Sequence, residues 1–199
     1  KICRKNIWRN KTRSLVVMVS VAVGLWAALF MTSFSWGLYQ GHIDDSIETY
    51  LSHVQVHHPR FIEEQTVDLT LPNGAKVLDE LLKEPRIAAA TGRVLISGMI
   101  SSSAGASGVT ICGIQPETEF KVSSVGRYIQ EGSPTDLAEP HAIMIGRKLA
   151  DKLKVKLKSK LVVTFQSVDG EMTAGSFRVC GIFDTGLEDF DKQLVFADL

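Results

Sequence analysis

The side chains whose types could do chemistry are few and badly spaced for it. His53, His57 and His58 stand near Glu63 and Glu64, which are donor types that hold transition metals. Polar and apolar residues alternate from His53 to His57, the mark of a strand. On a strand, residues four apart share a side at a separation of about 13 Å. One ion cannot bridge that distance, so a solvated strand edge is expected. Asp184, Glu188, Asp189 and Asp191 crowd around Gly186, but their spacing departs from a calcium loop. A turn carrying solvated carboxylates is the expectation there. The pairs Asp44-Asp45 and Glu63-Glu64 are sequence neighbours and do not predict convergence in a pocket. No G-x-S-x-G elbow occurs. The run Ser102-Ser-Ala-Gly-Ala-Ser-Gly lacks the G-K-[ST] of a phosphate cradle and reads as a hairpin tip. No catalytic residue, cofactor site or metal site is assigned, and the chain is not expected to be an enzyme.

Three cysteines add little. Cys112 and Cys180 each sit in an apolar, strand-like run, V-T-I-C-G-I and F-R-V-C-G-I. Outside a cell's reducing interior a disulfide between them is allowed, but free cysteine is among the most buried residue types and a bridge is the lesser expectation. Cys3 precedes both and falls in the basic leader.

The elements that would position such residues begin with a membrane-length run. Residues 15–39 contain no charged side chain, and Lys1, Arg4, Lys5, Arg9, Lys11 and Arg13 precede them without one acid. Roughly 20 apolar helical residues span a hydrocarbon core, and basic flanks stay cytoplasmic. A cleaved signal peptide fits poorly, because its apolar region is only about 7–15 residues long and ends at a small-residue site. Here Phe30, Trp26 and Trp36 interrupt any such site. Trp8, Arg9 and Arg13 suit the inner interface, and Trp36 and Tyr39 the outer one. Gly24, Ala27 and Ala28 give the helix a small-residue face on which another span could pack closely. All 22 acidic residues lie beyond Tyr39, with sixteen of the 22 basic ones, so the outer part is mildly acidic. That charge excludes a nucleic-acid-binding role, which needs a clustered basic face. Membrane lipids are the partner of the basic leader.

Beyond the span, 40–51 continues a helix-compatible pattern and reads as a stalk. Pro72-Asn73-Gly74 opens a short helix through Leu78 and Leu82 that stops before Pro85. Strands are expected over 93–101 and 107–114, with an irregular or helical stretch after Pro116 and an extended piece over 128–132. A strand at 142–145 leads into a helix through Leu149 and Leu153. Strands over 161–168 and 173–183 are joined at Asp169-Gly170, a strong hairpin signal, and a last strand covers 193–197. The fold class is therefore α+β, one transmembrane helix followed by a strand-rich outer domain. The chain divides into a basic flank (1–14), a span (15–39), a stalk (40–51) and an outer domain (52–199). Beginning on Lys and ending as a strand finishes, it reads as a piece of a longer protein.

The start, Arg4-Lys-Asn-Ile-Trp-Arg-Asn-Lys-Thr-Arg-Ser14 running into a span, resembles permease subunits of ABC transporters of the MacB, LolC/LolE and FtsX type. So do Cys112-Gly113-Ile-Gln-Pro116 with Glu119, the run from Ala142 through Gly146-Arg147 to Leu153, Phe177 to Gly186, and Phe190-Asp191. His53 to Pro59 and Gly181-Ile-Phe-Asp184-Thr-Gly186 are most similar to the LolC/LolE lipoprotein-releasing group. A departure falls at 156–160, where relatives usually turn on Gly-Asp and this chain has Lys-Leu-Lys-Ser-Lys.

The resemblance implies a MacB-like extracytoplasmic domain and a permease in the bacterial inner membrane, N-terminus cytoplasmic and main domain periplasmic. Its implied partners are a cytoplasmic ABC ATPase subunit that binds the ATP, and a second permease copy or paralogue. A lipoprotein or other extracytoplasmic substrate completes them. It also implies that Gly113, Pro116, Gly146, Arg147, Gly181, Asp184, Gly186 and Asp191 are structural motif positions. Efflux of drugs or peptides would use the same motifs, and a single-span receptor with a ligand-binding outer domain would share the layout.

Overall fold

A computed structural model describes residues 10–64, 66 and 68–198. The chain divides into two compact units, one ending at Ser46 and the other beginning at Ile47. The first is a single helix, α1 (Lys11–Ser46), of 36 residues with none buried. A helix that is apolar through its middle and uncovered by protein is favoured in hydrocarbon, where intrahelical bonds satisfy every backbone group. Its hydroxyls fold back on the same ladder. Ser20 Oγ donates to Val16 O at 2.8 Å and Thr32 Oγ1 to Ala28 O at 2.9 Å.

The second unit opens with a π turn, Ile47–Leu51, in which the Ser52 N–H donates to Ile47 O. The strand expected over 53–57 does not form. Val54 is 79% exposed and Val56 56%, so the alternation has no buried face to serve, and the segment pairs with no sheet edge. Two short helices follow, α2 (Phe61–Glu64) and α3 (Gly74–Leu81).

The strands are β1 (Arg93–Ser102), β2 (Gly105–Ile114), β3 (Ile129–Gly132), β4 (Ala142–Gly146), β5 (Lys160–Gln166), β6 (Met172–Phe183) and β7 (Leu194–Asp198). They form one sheet in the order β3-β6-β4-β7-β2-β1-β5, with β5 also paired to β6. Arg178 on β6 pairs with Ala142 of β4 and with Lys160 of β5, so those strands lie on opposite edges of β6. The sheet therefore closes on itself as a small ring, with β3 alongside the end of β6. Closure removes most free edges.

Alternation sorts the side chains into two cores. Val109, Ile111, Ile143, Ile145, Val163, Val179 and Val195 fill the inside of the ring. Helix α5 (Arg147–Leu153) adds Leu149, Ala150 and Leu153 to that core. At this end Ser102 Oγ donates to Leu153 O, and Lys152 Nζ donates to Ser107 Oγ. The other mouth is an apolar cavity of about 310 Å³ lined by Val94, Ile96, Phe165, Phe177 and Ala197, with Asp198 beside it. On the outer face, Cys112, Ile114, Met144, Phe183, Leu194 and Phe196 form a second core with Leu137 and Val125. It is covered by α4 (Pro116–Val122), two 3-10 turns (Val125–Tyr128 and Pro134–Ala138) and α6 (Glu188–Gln193).

The departure at 156–160 still makes a turn. Lys158 takes the left-handed conformation at φ 68°, its N–H donates to Val179 O, and Ser159 N–H donates to Lys156 O. A side chain there costs about 1–2 kcal/mol, which glycine avoids while losing part of the gain to unfolded-state freedom. Lys158→Gly is accordingly expected to raise unfolding stability by about 0.5–1 kcal/mol, read as a higher urea midpoint with unchanged slope.

Candidate functional site

An assembly of charge and aromatic rings surrounds the π turn. Arg93 opens β1 opposite Ile114 of β2, and strand alternation puts it on the outer face with Leu95, whose partner on β2 is Cys112. Glu119 lies in α4, which Pro116 starts. The pair is bidentate: Arg93 Nε donates to Glu119 Oε2 at 2.9 Å and Nη2 to Oε1 at 2.6 Å. The Glu119 side chain is wholly buried, and that of Arg93 is 14% exposed. The third guanidinium nitrogen, Nη1, donates to Tyr50 O at 2.5 Å. The guanidinium carbon sits 4.4 Å from the centroid of the Tyr50 ring, a cation–π distance. The same ring meets Phe190 edge-on at 5.2 Å and Phe196 at 6.2 Å. Tyr50 Oη donates to Cys112 Sγ at 3.7 Å. One residue earlier Thr49 is buried, and Glu48 O accepts from Ser124 N–H at 2.9 Å and Ser124 Oγ at 3.0 Å.

Burial drives the electrostatics of this cluster. It pushes the Tyr50 phenol far above its usual range, with Cys112 adding to the rise. It pushes the Cys112 thiol up to about 11, against the lowering bond from Tyr50. Burial also works against the Arg93 charge, but the bonds to Glu119 outweigh it and the guanidinium is held above its ordinary value. A nucleophilic cysteine needs a lowered pKa and a neighbouring base, and neither is present. What these groups do is hold: they fix residues 48–50 to β1, β2 and α4.

The other cysteine, Cys180 on β6, is also raised to about 11 by burial, and its thiol donates to Ile143 O. Cys112 and Cys180 are both free. A buried thiol and a half-buried one, both protonated, predict a labelling result. At neutral pH iodoacetamide should leave Cys112 and Cys180 unmodified in the folded protein and alkylate both in denaturant, as mapped by peptide mass spectrometry.

Apart from Pro116 and Glu119, the residues singled out in sequence fall elsewhere. Gly113 lies on β2 at the cavity mouth, and Pro116 begins α4. The remaining motif residues gather where β4 and β6 end. Arg147 Nη2 donates to Glu131 Oε1 at 2.8 Å and to Gln130 Oε1 at 3.2 Å. Gln130 Nε2 in turn donates to Asp184 Oδ2 at 3.4 Å. Asp184 Oδ1 accepts from Gly186 N–H, and Gly181 packs against Met144.

Asp191 corrects the expectation of solvated carboxylates. It is fully buried and accepts from Thr185 N–H and from Thr185 Oγ1 at 2.8 Å. Its burial raises its pKa, and the Thr185 bonds oppose the rise. The reason is α6, a helix too short to show a period, which turns Asp191 inward while Glu188 and Asp189 stay in solvent. His53, His57 and His58 form no metal cluster, and among the described residues no three His, Cys, Asp or Glu side chains converge.

On α1, Gly24 has open space around it, and Ala27, Ala28, Trp36, Tyr39 and Arg13 are exposed. Trp8 and Arg9 lie outside the described residues. Arg93 and Tyr50 had no sequence signal pointing to them. Glu119 did, as the acid of the Gly113-to-Glu119 segment.

A family model described as MacB-like periplasmic core domain matches residues 14–199. The chain belongs to that family. The match starts at Ser14 and so includes the apolar helix together with the ring of strands.

Among solved structures, the chain is similar to the extracellular domain of the noncanonic ABC-type transporter YknZ from Gram-positive bacteria. The identity is 16%, over 62% of this chain and 60% of that one, with a TM-score of 0.44. A domain named as a permease protein from Porphyromonas gingivalis is similar at 18% identity, over 50% of this chain and 40% of that one, with a TM-score of 0.38. The MacB-like chain thus spans well under the full length of either.

Proposed function

We propose that this MacB-like chain is the first span and outer domain of an ABC transporter permease that passes ATP-driven motion to the outer domain. The observation that carries the reading is the family match over residues 14–199, which covers both the membrane-length helix and the outer-domain fold. The basic leader before α1 supports a cytoplasmic N-terminus in the bacterial inner membrane, with residues beyond the span outside. The ATP belongs to a separate cytoplasmic subunit, and the permease pairs with a second copy or a paralogue.

Within the family, the resemblance of His53 to Pro59 and of Gly181 to Gly186 to the lipoprotein-releasing group favours a lipoprotein as substrate, freed from the outer leaflet. The test is purification of the full-length protein in detergent, followed by assay of any co-purifying ATPase. An associated ATPase stimulated by a triacylated protein and not by drugs supports the reading. Stimulation by drugs or unacylated peptides redirects it to efflux. If no ATPase associates, the transporter reading fails.

The span has its own test. Val21→Arg with Leu25→Arg places two like charges near the middle of α1, each costing about 2.5–3.5 kcal/mol of insertion at a helix centre. The expected outcome is loss of the outer domain's protection from protease added to the cytoplasmic side.

A further inference from the structure

Residues 47–51 follow α1 directly in the chain, and they are held by donors from the body of the outer domain. A helix ends with carbonyls that lack intrahelical partners and with a negative dipole end that favours a cation. Here the Glu48 carbonyl takes two bonds from Ser124, and the Tyr50 carbonyl takes one from the Arg93 guanidinium. Arg93 is in turn fixed by both oxygens of the buried Glu119. Stability alone does not account for this arrangement, since apolar residues of similar size commonly match or exceed a buried ion pair. What an apolar pair cannot supply is the third donor, aimed at the backbone of the segment that leaves the membrane helix. π turns are also frequent where a helix has a functional task.

We propose that Arg93 and Glu119 are a latch. They are positioning residues that tie residues 47–51 to β1 and α4, so that displacement of the span is delivered to the outer domain and not lost in a slack joint. The proposal rests on the permease reading above. It places the coupling at Tyr50, Arg93, Glu119 and Ser124.

The test uses the full-length protein with its ATPase in proteoliposomes and a fluorescent triacylated peptide as the transported probe. Arg93→Met with Glu119→Leu replaces the ion pair by apolar bulk, which a purely structural role would tolerate. The latch predicts near-native melting, amide exchange at residues 47–52 faster by about tenfold or more, and peptide released per ATP reduced by about tenfold. Arg93→Lys keeps the charge opposite Glu119 but loses the planar fork that reaches Tyr50 O. It should show the same loosening at 47–52 with a smaller melting loss than Arg93→Ala, and it decides the matter if the double variant fails to fold. Unchanged exchange at 47–52 overturns the latch, and so does faster exchange with native release per ATP. A full-length protein that binds no ATPase defeats the transport reading instead, and unchanged exchange there would still overturn the latch.

Discussion

Arg93→Ala is expected to cost the outer domain about 3–5 kcal/mol, because it leaves the Glu119 carboxylate buried without its partner. Both Glu119 oxygens bond to that one guanidinium, and the side chain has no access to water. The Tyr50 ring loses the cation above it as well. For a unit of this size, each kcal/mol moves the midpoint by about 2–4 °C, so the thermal transition should fall by about 6–20 °C. The control is Arg86→Ala, whose partner Glu84 stands in a pair 87% and 41% exposed. That substitution should change stability by less than about 0.5 kcal/mol, as solvent and salt screen the pair. Thermal unfolding of the full-length protein, followed by circular dichroism in detergent, distinguishes the two. If both variants melted alike, the buried pair would carry none of the weight assigned to it.

Sequence pattern was informative where structure is local. The hairpin β1–β2 announced itself by two apolar runs around Ser102 to Gly108, and its register closes on Ser102 opposite Gly105. Asp169-Gly170 marked the β5–β6 turn, where Gly170 takes φ 82°. The apolar helix was evident from the absence of charge, whatever its neighbours. The pattern failed where pairing is distant. Nothing in Lys160 to Gln166 indicates that it contacts β1 on one edge and β6 on the other, yet those pairings close the ring.

The candidate site shows the same limit. Arg93 reaches Glu119 across 26 residues and Tyr50 across 43, and a lone arginine at a strand start reads as a solvated charge. The resemblance singled out Glu119 without its partner. His53 to His57 had the right alternation but no edge to join, and Asp191 had the right surroundings for solvent but a helix that turned it inward. For Arg93 and for His53 to His57 the outcome was decided by elements remote in sequence, and for Asp191 by a helix too short to show a period, so local periodicity carries no record of either.

Gly146→Ala is expected to be the most damaging of the substitutions at motif positions. Gly146 ends β4 and passes against the backbone of Asp191. An added Cβ would lie 2.2 Å from Asp191 O and 2.6 Å from its Cα. Those atoms belong to α6 just before β7, and Asp191 is itself fixed by three bonds from Thr185, so backbone must move. The cost should be at least about 3 kcal/mol, the upper range for overpacking. Gly181→Ala provides the contrast on the neighbouring strand, where a Cβ meets Met144 Cγ at 3.2 Å and Cε at 3.4 Å and reaches backbone only at ordinary contact distance, Glu131 O at 3.4 Å. A thioether chain with three rotatable bonds can yield, and about 1 kcal/mol is expected. Both glycines stand in the segments that resemble the permease family, and by sequence both read simply as turn or close-packing positions. Urea unfolding of the two variants separates a glycine required by backbone approach from one that faces an adaptable side chain. Equal losses would show that the contact between β4 and α6 gives way more easily than its geometry implies.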